Sequence, residues 1–389
     1  MGDLEHVVLR LTILGATGSI GCSTADVIQR HPDKFSVHTL VGHKNADKMI
    51  ELARMLSPEY VVMTDEDAAV QIKDQLPAGT RLEGGMPAAI ELAGAAESEM
   101  VMAAMVGSAG LPATLAAVKA GKRVGLANKE CLVTAGRIFM QAASKSGAQI
   151  VPVDSEHAAV HQCLAGHNDQ SVVKVTLTAS GGPFRDRDPA SLVNVTPEEA
   201  VAHPNWDMGA KISVDSATMM NKALELIEAR WLFNLPAEKL SAIIHPQSIV
   251  HAMVEYADGS VLAQLAMPDM RMPIAYAMQT EPRIETGIDW LDLARVGKLS
   301  FQAVDEQRFP AMQLVKQVMQ GEDSLAIAMN AANEVANQAF RERRIGFMDI
   351  VNTVRSVLDG VENIPVGDLD AVWLHDEHAR KLAAEVIGL

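Results

Sequence analysis

Two acids separated by one residue close an apolar run: Asp154 and Glu156 follow Gln149 to Val153. If the chain stays extended there, both side chains leave the same face and two carboxylates converge at a strand end. Hard oxygen donors of this kind favour Mg²⁺ or Mn²⁺, provided a third ligand exists. The alternative is a helix cap, with Asp154 or Ser155 capping the segment around His157. A second polar group lies on 217–233, which has helical periodicity. At about 100° per residue Asn221, Lys222 and Glu225 share one arc, while Met220, Leu224, Ile227 and Trp231 occupy another face. That stripe reads as part of a site, as a solvated face, or as a local Lys222–Glu225 ion pair. His157 and His161 have zinc spacing, but Ala158 stands where the general base of HExxH belongs, so they read as core or surface histidines.

These groups need a scaffold. Val7 to Leu14 reads as a buried parallel strand, and the turn Gly15 to Gly21 leads into a helix that continues to about Arg30. Val37 to Val41, Tyr60 to Met63, Met100 to Val106, Lys122 to Ala127 and Gln149 to Val153 read as further strands, with a helix over Asn45 to Leu56. Strands alternating with helices predict a Rossmann-like, doubly wound parallel sheet over residues 1–153. Gly15, Gly18 and Gly21 form GxxGxxG between strand and helix, where bare backbone can approach a pyrophosphate. Thr17, Ser19 and Ile20 share that turn. The second strand ends in Gly42, His43, Lys44 and Asn45, with no acid for a ribose diol. Cationic and neutral donors there suit a 2′-phosphate and hence NADPH, with a surface lysine the alternative for Lys44.

Beyond residue 153 the pattern becomes α+β, with strands expected at Val172 to Thr178, Leu240 to Val254 and Ser260 to Ala266, a Gly-rich charged loop at Ser180 to Arg187, and a long helix at Ala217 to Phe233. A central catalytic domain is expected over 154–281, a linker over 282–309 and a helical C-terminal domain over 310–389. Helices there are expected at Met312 to Met319, Leu325 to Arg341, Ile350 to Leu358 and His378 to Val386. The fold class is therefore α/β, with a central α+β part and a helical end.

Of the 389 residues 48% are hydrophobic, enough for two or three cores, and the formal net charge is -16. The acidic balance speaks against nucleic acid, whose binding draws on clustered Lys and Arg. A small anion remains possible, since helix N-termini and local cations can hold a phosphate. Cys22, Cys131 and Cys163 lie far apart and read as reduced thiols. No targeting segment is readable at MGDLEH, and no window approaches about 18 uninterrupted apolar residues, so a cytoplasmic protein without a membrane partner is expected.

The blocks LTILGATGSIG, GLANKE, VPVDSEHAAV, LTASGGPF, HPNWDMGAKISVDSATMMNKALELIEA, IHPQSIVH, PDMR and AMNAANE resemble the 1-deoxy-D-xylulose 5-phosphate reductoisomerase family. The resemblance implies that Asp154, Glu156 and Glu225 ligate Mg²⁺ or Mn²⁺, which chelates the C2 carbonyl and C3 hydroxyl oxygens of the substrate. It implies a 5-phosphate held by Ser180, Ser216, Asn221 and Lys222, with Ser155 and Lys129 on the oxygenated carbon chain. His203 to Lys211 would form a flap in which Trp206 covers the substrate and His203 approaches it. Asn128 and Glu130 would lie near the nicotinamide, and Gly209 would also touch NADPH. The implied reaction is an α-ketol rearrangement to an aldehyde, then reduction to 2-C-methyl-D-erythritol 4-phosphate, an isoprenoid precursor, in a homodimer. Two departures stand out: Gly42-His43-Lys44-Asn45 replaces the commoner Ala-Gly before Lys-Asn, and Ala266 occupies an expected glycine position. A metal-free NADP-dependent dehydrogenase would leave the acids and the polar stripe unused, and an NADPH-binding regulator predicts a spoiled active-site set, whereas the mapped family positions retain their chemical type.

Overall fold

The computed structural model describes residues 8–203, 205–206, 209–279 and 282–388. In chain order the first elements are β1 (Leu9–Leu14), α1 (Ser19–Arg30), β2 (Phe35–Gly42), α2 (Ala46–Leu56), β3 (Tyr60–Met63), α3 (Glu66–Ile72) and β4 (Arg81–Gly84). There follow α4 (Gly85–Gly94), β5 (Met100–Ala103), α5 (Leu111–Lys119), β6 (Arg123–Leu126), α6 (Glu130–Ser146), β7 (Gln149–Pro152), α7 (Ser155–Leu164) and β8 (Val172–Ala179). Next come α8 (Pro197–Val201), α9 (Ala210–Ala217), α10 (Met220–Leu232), β9 (Leu240–Ile244), β10 (Val250–Tyr256), β11 (Val261–Leu265) and α11 (Arg271–Met278). The chain ends in helices α12 (Leu293–Val296), α13 (Ala311–Gln320), α14 (Asp323–Arg341), α15 (Phe347–Gly360) and α16 (Leu369–Val386).

The chain divides into two compact units: 1–131, 139–158 and 269–289 form one; 132–138, 159–268 and 290–389 form the other. These units cut across the consecutive stretches 1–153, 154–281, 282–309 and 310–389. The physical reason is α11, whose apolar Ile274 to Met278 joins the core of the first unit, with Arg271 reaching Asp26 of α1 at 3.2 Å. Periodicity shows that a segment has an apolar face; it does not show which core that face enters.

In the first unit seven parallel strands run in the order β4-β3-β2-β1-β5-β6-β7. The order reverses direction between β1 and β5, the switch point where such sheets bind ligands. β4 escaped the sequence reading because Arg81 to Gly84 sits at an edge and is largely exposed, so it lacks an apolar run. β5 stops at Ala103, short of the expected Val106. Its last backbone pairing is with Leu14 and Leu126.

In the second unit four strands run β11-β10-β8-β9, with β9 parallel and β10 antiparallel to β8. The single strand expected over Leu240 to Val254 is two. Pro246 has no N–H to continue a ladder, and Ser248 takes a left-handed φ of 53°, so the chain turns between them. The expected helix over Ala217 to Phe233 is also broken. Met219 adopts φ 60°, and the Thr218 hydroxyl bonds back to the Val214 and Asp215 carbonyls, closing α9 before α10 begins. Helices α13 to α16 pack with α10 and β8 in one apolar core. The expected linker 282–309 holds α12 and a bridge between Gln302 and Ile244.

Candidate active site

At the switch point of the first unit, the glycine turn is shaped by contacts that no side chain could share. A Cβ on Gly15, whose φ is +81°, would lie 2.4 Å from the Ala104 carbonyl oxygen, hard against the end of β5. A Cβ on Gly21 would lie 2.3 Å from the Ala16 carbonyl oxygen, so glycine lets α1 start this close to the strand. Gly18 is the N-cap of α1 and brings no capping side chain, which suits the first-turn amides around Ser19 and Ile20 to a ligand. Thr17 lies in the same turn, its methyl within 3.3 Å of where a Cβ on Gly42 would stand; Met49 is closer still at 2.6 Å, so Gly42 is a packing glycine.

The second-strand end is exposed at His43, Lys44 and Asn45. Lys44 Nζ stands 3.7 Å from Asp65, His43 Nδ1 is 2.9 Å from the Thr64 hydroxyl, and Asn45 Oδ1 accepts from the Lys48 amide as the cap of α2. Asn128 is buried; its Nδ2 donates to the Gly107 carbonyl at 3.0 Å while its buried Oδ1 has no protein partner. An unmet buried acceptor fits a carboxamide donor such as that of a nicotinamide. Glu130 is buried in the first turn of α6.

Asp154 and Glu156 do not share the face of an extended strand. β7 ends at Pro152 and α7 begins at Ser155, so Asp154 sits at the strand–helix junction and Glu156 in the first helical turn. Two acids at a helix N-terminus meet the favourable end of its dipole. Lys129 Nζ donates to Asp154 Oδ2, both side chains being largely buried, and the Ser155 hydroxyl donates to Glu156 Oε2 at 2.6 Å. The pair thus presents hard oxygen donors, as Mg²⁺ requires.

In the second unit Ser180 directly follows β8 and meets His203, with Oγ and Nε2 2.9 Å apart. His203 Nδ1 accepts from the Asn205 and Trp206 amides at 3.2 and 3.0 Å. Nδ1 is therefore deprotonated, and the proton of a neutral ring resides on Nε2, which donates to Ser180. Burial, and secondly the Arg185 guanidinium, push the His203 pKa down to about 4. Since the Gly182 amide also donates to Ser180 Oγ at 3.1 Å, the serine's own proton is left to point at a further acceptor. The Trp206 ring tilts against His251 at 6.4 Å. Within the segment expected as a flap, Pro204, Asp207 and Met208 lie outside the described residues. Gly209 caps α9, and a Cβ there would meet nothing within 4 Å, so no steric need fixes glycine.

The polar stripe of α10 is not a solvated face: Lys222 and Glu225 have side-chain exposures of 3% and 1%. Lys222 Nζ donates to Glu225 Oε2 and Asn221 Nδ2 to Glu225 Oε1. The local ion pair read from the sequence is present, but inside the protein, where charge must be matched. Ser216, in the last turn of α9, is half-buried. Of the candidate residues, Lys129, Asp154, Ser155 and Glu156 belong to the first unit, and Ser180, His203, Trp206, Ser216, Asn221, Lys222 and Glu225 to the second. Sequence reasoning missed Arg185, which donates to the Ser180 carbonyl at 3.3 Å, because one arginine in a charged loop carries no spacing signal. It also missed Asp215 and its partners, although Asn330, Asn333 and Asn337 recur at helical spacing in an apolar stretch.

Residues 11–136 match the family model described as 1-deoxy-D-xylulose 5-phosphate reductoisomerase, and 150–233 and 265–382 match two described as C-terminal domains of that enzyme. The chain belongs to the 1-deoxy-D-xylulose 5-phosphate reductoisomerase family. The Burkholderia multivorans reductoisomerase is 51% identical over 386 residues, covering 97% of this chain and 96% of that protein. That of Pseudomonas putida is 50% identical, covering 97% of this chain and 98% of its own. A crystal structure described as DOX-P reductoisomerase in complex with NADPH, fosmidomycin and magnesium superposes with a TM-score of 0.94 at 41% identity, over 98% of this chain and 99% of its own. The Zymomonas mobilis reductoisomerase in complex with NADPH gives 0.91 at 43% identity, over 98% and 99%. The three matched segments contain every candidate residue of the reductoisomerase site named above. No described helix is long and apolar enough to cross a membrane.

Proposed function

We propose that the protein binds NADPH and a divalent cation and converts 1-deoxy-D-xylulose 5-phosphate to 2-C-methyl-D-erythritol 4-phosphate, a step in making isoprenoid precursors. The observation that carries the reading is family membership, with a relative 51% identical over 97% of the chain. The glycine turn, Asn128, Glu130 and Gly209 hold the cofactor; Lys44 and Asn45 face its 2′-phosphate. Asp154, Glu156 and Glu225 are the oxygen donors for Mg²⁺, and the same set suits Mn²⁺. When bound, the cation supplies Lewis acidity at adjacent substrate oxygens and NADPH supplies a hydride.

The protein's own groups do the rest. Ser180, Ser216, Asn221 and Lys222 take the phosphate, and because His203 is neutral near pH 7, Lys222 contributes the positive charge there. Lys222 and Glu225 neutralise each other in the free protein. A phosphate for Lys222 and a cation for Glu225 replace one pairing with two, so substrate and metal enter without leaving a buried charge unmatched. Lys129 and Asp154 form a second such pair. Lys129 and Ser155 hold the carbon-chain oxygens while one carbon–carbon bond breaks, another forms and an aldehyde results. Reduction then adds hydride to the aldehyde carbon and a proton to its oxygen. Trp206 and His203 exclude water over the substrate.

The protein is proposed to act as a homodimer: β11 is an edge strand with Val261 and Leu262 53% and 36% exposed, and Trp290 is 93% exposed. Sedimentation as a monomer at micromolar concentration would refute this. Its three cysteines, far apart along the chain, and NADPH chemistry suit the cytoplasm. The activity test mixes purified protein with substrate, NADPH and Mg²⁺ or Mn²⁺, follows cofactor oxidation and identifies the product by mass and NMR. EDTA-insensitive turnover would instead favour a metal-free dehydrogenase.

A further inference from the structure

The proposed phosphate site leaves unused a buried polar stripe on α14. Asn330, Asn333 and Asn337 recur at spacings of three and four on a helix whose other buried positions are mainly Ala, Ile, Leu, Met and Phe. Asn333 and Asn337 each donate from Nδ2 to Asp215 Oδ1, at 2.9 and 2.8 Å. The Asn337 amide also donates to the Lys211 carbonyl at 2.9 Å, and Lys211 Nζ lies 3.0 Å from Asp215 Oδ2. Asp215 is 1% exposed and both asparagines 0%. A carboxylate taken out of water therefore receives directed bonds from its own helix and from one 118 and 122 residues further along the chain.

The place of this network gives it meaning. Asp215 immediately precedes Ser216, and Lys211 lies in the first turn of α9, so the network ties both ends of an eight-residue helix. Such a helix is marginal alone and takes its position from what it packs on. The groups proposed to meet the phosphate lie on α9 or adjoin it. A Cβ on Gly182, in the loop after Ser180, would stand 2.8 Å from the Ser216 carbonyl oxygen, and α10 with Asn221 and Lys222 starts after the left-handed Met219. Apolar packing would hold α9 nearly as firmly but would tolerate sliding and rotation; two amides converging on one carboxylate oxygen do not.

We infer that Asp215, clamped by Asn333 and Asn337, is a positioning group that fixes α9 against α14 and so sets the affinity of the site for the substrate phosphate. This rests on the reading of Ser216 as a phosphate-binding residue. Asn337→Leu keeps the branched shape and removes the two bonds that Nδ2 donates, together with the one that Oδ1 accepts from Arg341 Nε at 2.8 Å. It is expected to raise KM for 1-deoxy-D-xylulose 5-phosphate and the inhibition constant for inorganic phosphate about tenfold, while kcat stays within about threefold and NADPH affinity is unchanged. A fall in Tm with KM and phosphate inhibition near wild type would reduce the network to structural support and overturn the inference, as would a parallel loss of NADPH affinity. Ser216→Ala is the control. If it raises KM and Asn337→Leu does not, the inference alone fails; if Ser216→Ala has no effect, the phosphate reading fails and takes the inference with it. Hydrogen exchange on the wild-type protein decides the matter should the variant not fold: inorganic phosphate is expected to slow residues 210–217 and 330–338 together, and protection confined to 210–217 overturns the proposal.

Discussion

At the end of β1 the chain offers a ligand mostly backbone: Gly18 and Ser19 are exposed, and no charged side chain is buried in the turn. At the start of α10 it offers side chains, with Lys222 and Glu225 nearly inaccessible and matched to each other. On the proposed reading both places hold phosphate. A backbone site carries no charge out of water, so it is vulnerable to added atoms and tolerant of changes at its rim. A site of buried side chains is vulnerable to removal, since each loss strands a partner.

The largest expected effect is therefore at Glu225. Glu225→Gln should reduce turnover at least about 100-fold and, by leaving Lys222 uncompensated, destabilise the free protein by about 3 kcal/mol. Asp154→Asn should lose comparable activity, measured with excess Mn²⁺, but less stability. Its side chain and that of Lys129 are 13% and 11% exposed, so water softens the loss. Melting curves of both variants beside NADPH titrations check this, and near wild-type turnover of Asp154→Asn would remove that residue from the metal set. Equal stability losses would break the contrast between buried and part-buried pairs.

The opposite operation tests the glycine turn. Gly15→Ala adds one carbon at a φ of +81° and 2.4 Å from the Ala104 carbonyl oxygen. It should cost about 2 kcal/mol or more and weaken NADPH binding while leaving inorganic phosphate inhibition intact. A variant that binds NADPH normally would mean that the turn has slack the structure does not suggest.

How much of this was legible follows the same division. The parallel sheet and its glycine turn were readable because a buried strand is a run of apolar residues and a bare backbone advertises itself as glycine. The break between α9 and α10 was not, since a left-handed Met219 has no compositional mark and the Thr218 hydroxyl that supports it looks like any helical threonine. Asp154 and Glu156 share a face only if the chain stays extended, and the helix starting at Ser155 removes that geometry. The acids are at the edge of the sheet, but for a different geometric reason. The burial of Lys222 and Glu225 was invisible because a charged stripe has the same periodicity whether it faces water or protein; their identity as a site came from resemblance. Asp215 illustrates the limit, for its meaning depends on α14, far along the chain.

A smaller effect is expected at the rim of the cofactor site. Lys44 has 71% side-chain exposure and only a loose contact with Asp65 at 3.7 Å. Lys44→Glu should lower the preference for NADPH over NADH about tenfold by repelling the 2′-phosphate, with a stability change within about 0.5 kcal/mol. Equal use of both cofactors by the wild type would remove the premise, and a large drop in melting temperature would place Lys44 among the structural residues.

The smallest effect is a slope. His203 is neutral in the folded protein because two backbone amides occupy Nδ1, and burial with Arg185 nearby holds its pKa down at about 4, against about 6.5 in an unfolded chain. Between these values the unfolded chain binds the proton and the folded one does not. Stability due to this group is therefore complete above about pH 6.5, falls as pH drops through the window, and levels off below about pH 4. Urea unfolding at several pH values should show a steeper acid-side decline for the wild type than for His203→Gln, and Arg185→Gln should move the His203 titration upward, as followed by NMR of the ring. Since burial is the larger cause, the arginine change should recover only part of the shift. A full return to the ordinary histidine value in Arg185→Gln would mean that charge, and not the enclosed tautomer, controls this ring, and the reading of His203 as a neutral donor to Ser180 would fail.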